Sequence, residues 1–239
     1  MASTYTASGG RRALITLVVA GIALYVILDI VAQALPPHYD LMSQAESLLA
    51  VGPYGYVMTV NFVVRGALSL LFVAAYARTI PRASQSREGL ILLSVWGVSA
   101  LLLAVFSTDA PNARPTLHGS VHLVVALVAF ICGPLGELLL ARARRKDAST
   151  PIPRNLLVGV AVAALVAAAL VILGAPIATS AGIWGLLERV LIGLVLLWML
   201  LAALDLWVSL SLIRQLHTSA PTVKGDAVRG RYDDGQMTR

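Results

Sequence analysis

The side chains best suited to chemistry lie in a short polar stretch between two apolar runs, Phe106-Ser-Thr-Asp109 and then Leu117-His118-Gly-Ser-Val-His122. His122 follows His118 by four positions, a spacing that puts both rings on one helical face with Cβ atoms about 6 Å apart. Asp109 closes the preceding run and brings a carboxylate to the same end. Imidazoles beside a carboxylate can move protons near neutral pH. The same set, His118, His122 and Asp109, suits Zn²⁺, with Asp40 or His38 as alternative third ligands. A third reading makes the histidines interfacial residues bonded to loop carbonyls. Two histidines on adjacent turns cannot fill opposite axial positions of one haem, and no matching pair occurs on another run, which argues against a b-type cytochrome.

The elements that must hold these groups are membrane helices. Of 239 residues, 58% are hydrophobic and only 13% charged, and the mean hydropathy is +0.83. Six apolar runs, 13–34, 56–78, 89–107, 118–141, 155–174 and 184–213, meet the need for about 20 residues per span. The first is too long for a cleavable signal peptide and has no cleavage site before a soluble domain. The expected architecture is therefore all-α, a polytopic bundle over 13–214, with disordered ends at 1–12 and 215–239. Cys132 alone permits no disulfide within one chain and reads as a small core residue.

Cations set the orientation. Arg11 and Arg12, the second and fourth connections, and the tail hold 15 of the 18 Lys and Arg residues. The positive-inside rule then places both termini in the cytoplasm and the Asp109–His122 stretch outside. A bacterial cytoplasmic membrane is the expected setting. The pI near 9.9 reflects this bias and attraction to anionic lipid, not nucleic acid, because no folded basic surface with interleaved aromatics is present.

Within the runs, Tyr25, Asp29 and Gln33 form one polar stripe, and Asn61, Arg65 and Ser69 another. Arg65 near the bilayer centre would cost roughly 2.5–3.5 kcal/mol if it faced lipid. It is expected to point inward and pair with Asp29 or Glu188, either as a lock on three helices or as the floor of a pocket open to the outside. Glu137 and Asp205, in the inner halves, read as packing contacts or partners for inner arginines. The connection 35–55 is the longest on the outer side; Ser43 to Leu49 suits a short interfacial helix. Pro134 should kink the fourth helix near Ala129 to Gly133. GPYG at 52–55 and GPLG at 133–136 echo each other, but their flanks do not align, so no repeat is inferred. Phosphate-binding glycine loops, CxxC, GxSxG and HExxH are absent, as is a paired acidic motif for Mg²⁺-diphosphate.

Ser47-Leu-Leu-Ala-Val-Gly-Pro-Tyr-Gly55, Asn61-Phe62 with Gly66, Val105-Phe-Ser-Thr-Asp109 and His118-Gly-Ser-Val-His122 together resemble a bacterial and archaeal family of six-helix membrane proteins of unknown function. The resemblance covers about residues 13 to 145. It implies six helices and a polar site at the outer face around Asp109, His118 and His122, and it carries no activity.

These readings combine in a membrane-embedded enzyme acting on a lipophilic substrate, a lipid or isoprenoid, by acid–base chemistry at the outer leaflet. Asp109, His118 and His122 would transfer protons. Asp29, Arg65, Asn61 and Glu188 would line the polar floor, with Tyr54, Tyr56, Phe62, Phe106 and Trp184 as an apolar wall. Hydrolysis, with or without zinc, and protonation-driven cyclisation or isomerisation are both compatible, although 6% aromatics is sparse for stabilising carbocations. The alternative class is a transporter or a protein that binds lipid or a small molecule, with a homodimer completing the pathway; a third is a structural partner of another membrane protein.

Overall fold

In a computed structural model the backbone is described for residues 2–37, 39–144 and 151–219, and side chains for 9–37, 39–144 and 151–211. Seven α-helices are present among these: α1 (Ala2–Ala34), α2 (Gly55–Thr79), α3 (Arg87–Val105), α4 (Leu117–Ala143), α5 (Arg154–Leu173), the short α6 (Ala175–Ser180) and α7 (Trp184–Ser219). All but α6 contain a stretch long and apolar enough to cross a membrane. The chain is an all-α, multi-pass membrane protein with six such helices, and no strand occurs among the described residues.

Two boundaries differ from the sequence expectation. Helical backbone begins at Ala2 and α7 continues to Ser219, so parts of both ends expected to lack order are helical; 220–239 lie outside the described residues. The hydropathy window marks where a helix enters lipid, not where its backbone hydrogen bonds stop. In place of an interfacial helix over Ser43–Leu49 there is a 3₁₀ turn, Glu46–Ala50. Helix α4 passes through Pro134 as one element.

The six long helices close into a ring in the order α1, α2, α3, α4, α5, α7, with α1 and α7 meeting to seal it. Trp96, Trp198, Tyr76, Phe72 and Phe62 fill its interior and are all but inaccessible. Outward positions such as Leu17, Ile27, Ile30, Leu123 and Val166 stay exposed although apolar. In lipid that carries no penalty, because helix association is driven by packing and hydrogen bonding rather than by hiding apolar surface. Ser86 and Thr116 cap α3 and α4, each accepting the amide N–H three residues on at 3.0 Å.

The end where Arg144 lies is tied by charge. Arg144 and Asp205 form a buried ion pair, and Asp205 also accepts the Ile152 amide at 3.0 Å. Arg154 donates to the carbonyls of Ala141 and Arg142 at 3.2 and 2.8 Å, satisfying the last turn of α4. Of the two expected roles for Asp205, packing contact or partner of an inner arginine, the pair with Arg144 matches the second. Glu137 is different. It is fully buried and neither carboxyl oxygen has a hydrogen-bond partner among the described residues.

Candidate functional site

At the opposite end the polar residues form two groups, with Phe62 between them. The first is built on the turn into α4. Both Asp109 oxygens are engaged by Thr116, one by its amide at 3.0 Å and one by its hydroxyl at 2.7 Å. These two donors hold the Asp109 carboxyl below the usual carboxylate range, the hydroxyl contributing more. Gly119 makes the approach possible, since a Cβ there would fall 1.9 Å from Asp109 Oδ2. His122 is buried, and its Nδ1 donates to the Phe106 carbonyl at 2.7 Å. His118 is exposed on the outside of α4, with its ring centroid 5.4 Å from that of Phe106.

This arrangement makes Asp109 a clasp for the α3–α4 turn and engages His122 as a loop-bonded histidine. Among the described residues no three His, Cys, Asp or Glu side chains converge as a metal-ion set. With both Asp109 oxygens on Thr116 and His118 exposed, His118, His122 and Asp109 do not converge on one ion among the described residues, and His38 lies outside them.

The clasp has a pH signature. A carboxyl held below its unfolded value of about 3.9 adds stability that is complete above that value and is lost as pH falls through the folded one. The unfolding midpoint of wild type should therefore exceed that of Asp109→Asn by a constant margin above about pH 5. The margin should shrink on acidification below about pH 4. A margin that does not change with pH would remove the clasp.

The second group lies deeper and is larger. Arg65 is 2% exposed; its guanidinium sits 5.1 Å from the Trp96 ring, 5.2 Å from Phe62 and 5.9 Å from Tyr25. Its ion pair is with Glu46, at 3.6 Å. That corrects the expected pairing with Asp29 or Glu188: the counter-charge comes from the 3₁₀ turn of the connection, which folds back into the bundle. Tyr25 donates its hydroxyl to Glu46 Oε1, and the Glu46 amide donates to Glu188 Oε2 at 2.8 Å. Arg65 Nε and Nη1 and Asn61 Oδ1 are buried without hydrogen-bond partners among the described residues.

Arg189 and Tyr39 hold that connection down. Arg189 donates to the carbonyls of Leu41, Gln44 and Gly185 at 3.2, 3.1 and 3.1 Å, and to the Tyr39 hydroxyl at 2.6 Å. The Tyr39 hydroxyl in turn donates to the carbonyls of Gln44 and Ala45. Burial pushes the Tyr39 phenol above its ordinary range, so it stays a neutral donor at physiological pH. Asp40 accepts from the Ser43 hydroxyl and, at 3.0 Å, from the Met42 amide. Those bonds, the hydroxyl first, hold its carboxyl below the usual range.

Beside this network a cleft of about 330 Å³ opens between α1 and α7. Tyr25, Asp29, Glu46 and Arg189 form its polar end, and Ile22, Ile192, Leu196, Leu197 and Leu200 its apolar length. Asp29 accepts from Gln33 Nε2 at 2.5 Å, while its other oxygen has no hydrogen-bond partner among the described residues.

The residues expected to share one pocket are thus divided. Arg65, Asn61 and Phe62 belong with Glu46 and Tyr25, and Glu188 joins them through the Glu46 amide. Asp29 lies in the cleft. Phe106 stays with the histidines, Tyr56 is 65% exposed, and Tyr54, 40% exposed, lines a separate pocket with Tyr39 and Gln44. Trp184 turns toward α5, donating to the Val171 carbonyl at 3.3 Å. Sequence reasoning left out Glu46, Tyr39 and Arg189. The available signal was the Tyr25–Asp29–Gln33 stripe, which required an acceptor and a cleft nearby.

Residues 19–205 match the model of a family described as a protein of unknown function (DUF998). No curated protein and no solved structure matches the chain.

Proposed function

The chain belongs to this DUF998 family of unknown function, so its activity must be read from its own site, and we propose that it binds an amphiphilic molecule of the membrane in the α1–α7 cleft. The supporting observation is the shape of that cleft. It has four polar side chains at one end and an aliphatic trough along the rest, with a volume inside the range of small-molecule sites. The positive-inside distribution of Lys and Arg supports setting the polar end at the outer leaflet. A lipid lying there would put its head beside Asp29 and its chain along Leu196 and Leu200.

Acid–base chemistry is a second reading, favoured by one specific contact. Tyr25 and Glu46 share a hydrogen bond at the cleft wall, and Arg65 stands behind the carboxylate. A hydroxyl and a carboxylate in that relation can pass a proton to or from a bound head group. Asp109, His118 and His122 serve this role less well, because Thr116 occupies both Asp109 oxygens and His118 faces outward.

Leu197 lines the cleft and is 42% exposed to lipid, so Leu197→Trp should fill the trough with little effect on folding. Native mass spectrometry of protein released from membranes should show an amphiphile on wild type that is absent from Leu197→Trp. Identical adducts on both would sink the binding reading. For the enzymatic reading, expression of wild type should generate a lipid species that Glu46→Gln does not.

A further inference from the structure

Away from the α1–α7 cleft, α3 and α4 leave between them a larger groove, of about 530 Å³. Its lining is eight aliphatic side chains, two serines and a single charged residue, Arg87. Val95, Val98, Val124, Val125 and Val128 make up most of the wall. Valine on a helix keeps nearly one rotamer, so that wall is stiff. Ser94 asks for no partner, because its hydroxyl donates to the Leu90 carbonyl at 2.8 Å. From Arg87 to Leu102 the groove follows α3 for about 22 Å. That exceeds one leaflet's share of a hydrocarbon core about 30 Å thick. An acyl chain can lie along its whole apolar length.

The rim selects the head group. Arg87 is exposed in the first turn of α3, and the ion pairs among the described residues, Arg65–Glu46 and Arg144–Asp205, do not include it. Its neighbour Glu88 accepts from the Ser86 hydroxyl at 3.0 Å, and consecutive helical residues do not face each other. Arg78 and Arg82, also exposed, belong to the same connection. Residues 78–88 thus carry three guanidiniums against one carboxylate. The overall distribution of Lys and Arg supports setting this rim at the cytoplasmic leaflet, where such segments attract anionic lipid. A zwitterionic head would bring a further cation to the same rim.

We propose that the α3–α4 groove binds an anionic phospholipid, its phosphate on Arg87 and one acyl chain along the valines. The site is separate from the α1–α7 cleft and stands without the reading given for it. The test is native mass spectrometry of the delipidated full chain, titrated with phosphatidylglycerol or phosphatidylcholine of identical chains. The first phosphatidylglycerol should bind about fivefold more tightly, the effect of one cation near a membrane surface. Arg87→Gln should erase that preference and Arg87→Lys keep it. Arg11→Gln removes the same charge from α1, away from the groove, and should leave it unchanged. Val98→Trp should block the groove and weaken phosphatidylglycerol binding to a similar extent. Arg87 and Val98 are both exposed, so neither change should disturb folding. Equal affinities for the two lipids on wild type would overturn the proposal. So would a preference that Arg11→Gln lowers as much as Arg87→Gln, which marks diffuse surface charge. Binding that survives Val98→Trp would place the lipid outside the groove and end the assignment. A dimer that Val98→Trp dissolves would overturn it by seating a second copy there.

Discussion

Arg65→Met should be the most damaging single substitution in the bundle, costing about 3–5 kcal/mol, because it strands Glu46 as a buried carboxylate. The substitution itself removes little packing, since methionine fills much of the space among Trp96, Phe62 and Tyr25. The loss comes from charge. Glu46 is 2% exposed, and after the change its remaining side-chain donor is the Tyr25 hydroxyl. In a chain of this size the cost corresponds to a fall of roughly 10 °C in the unfolding midpoint. Adding Glu46→Gln should recover most of it, because a neutral amide can still accept from Tyr25 and leaves no unpaired charge. That recovery separates ion pairing from packing. If the double substitution is as unstable as Arg65→Met, or worse, the pair is not what holds the site.

Gly185→Ala is expected to have the next largest effect. A Cβ at this position would lie 2.2 Å from the Gln44 carbonyl oxygen and 2.8 Å from its carbon. Both are backbone atoms, so no rotamer change relieves the clash. The connection is fixed there by the Leu186 amide donating to the Met42 carbonyl at 3.0 Å and by Arg189 on Leu41 and Gln44. One added methyl must therefore lift the segment that presents Glu46. Overpacking of this kind costs about 1–3 kcal/mol, and here it should also loosen the Arg65 pair. Hydrogen exchange should show faster exchange at Gln44 to Leu48 in the variant, with α3 and α4 unchanged. Unchanged protection at 44–48 would mean the connection is not pinned through Gly185.

What the sequence could reveal follows from the range over which each signal acts. Six spans were readable because each is a continuous apolar stretch, a property of neighbours along the chain. The inward direction of Arg65 was readable for the same reason, since lipid excludes it. Its partner was not. Glu46 sits in a five-residue turn inside a connection that carries Pro36, Pro37, His38, Asp40, Ser43 and Gln44, which local composition describes as surface; only the three-dimensional fold returns it to the interior. The histidine stretch shows the converse. His118, His122 and Asp109 stood out by type and spacing, yet the space that lets Asp109 reach Thr116 depends on the absence of a side chain at Gly119. An absence carries no sign in a single sequence. Tyr56 was misplaced because an aromatic residue at a helix start can face either way, and here it faces out.

The origin of the Arg65 counter-charge has a consequence for how the protein is made. Glu46 precedes Arg65 in the chain by less than the length of one span. When synthesis reaches the arginine, the carboxylate that neutralises it has already been made, between α1 and α2. The two helices can therefore enter the bilayer as a hairpin with its deepest cation already matched, without waiting for α7 to supply Glu188. An acidic partner on the last helix would have left a bare guanidinium in lipid through the synthesis of four further helices. Drawing it from the first connection supplies the N-terminal pair with its counter-charge early, and leaves α7 to pin that connection and complete the cleft last.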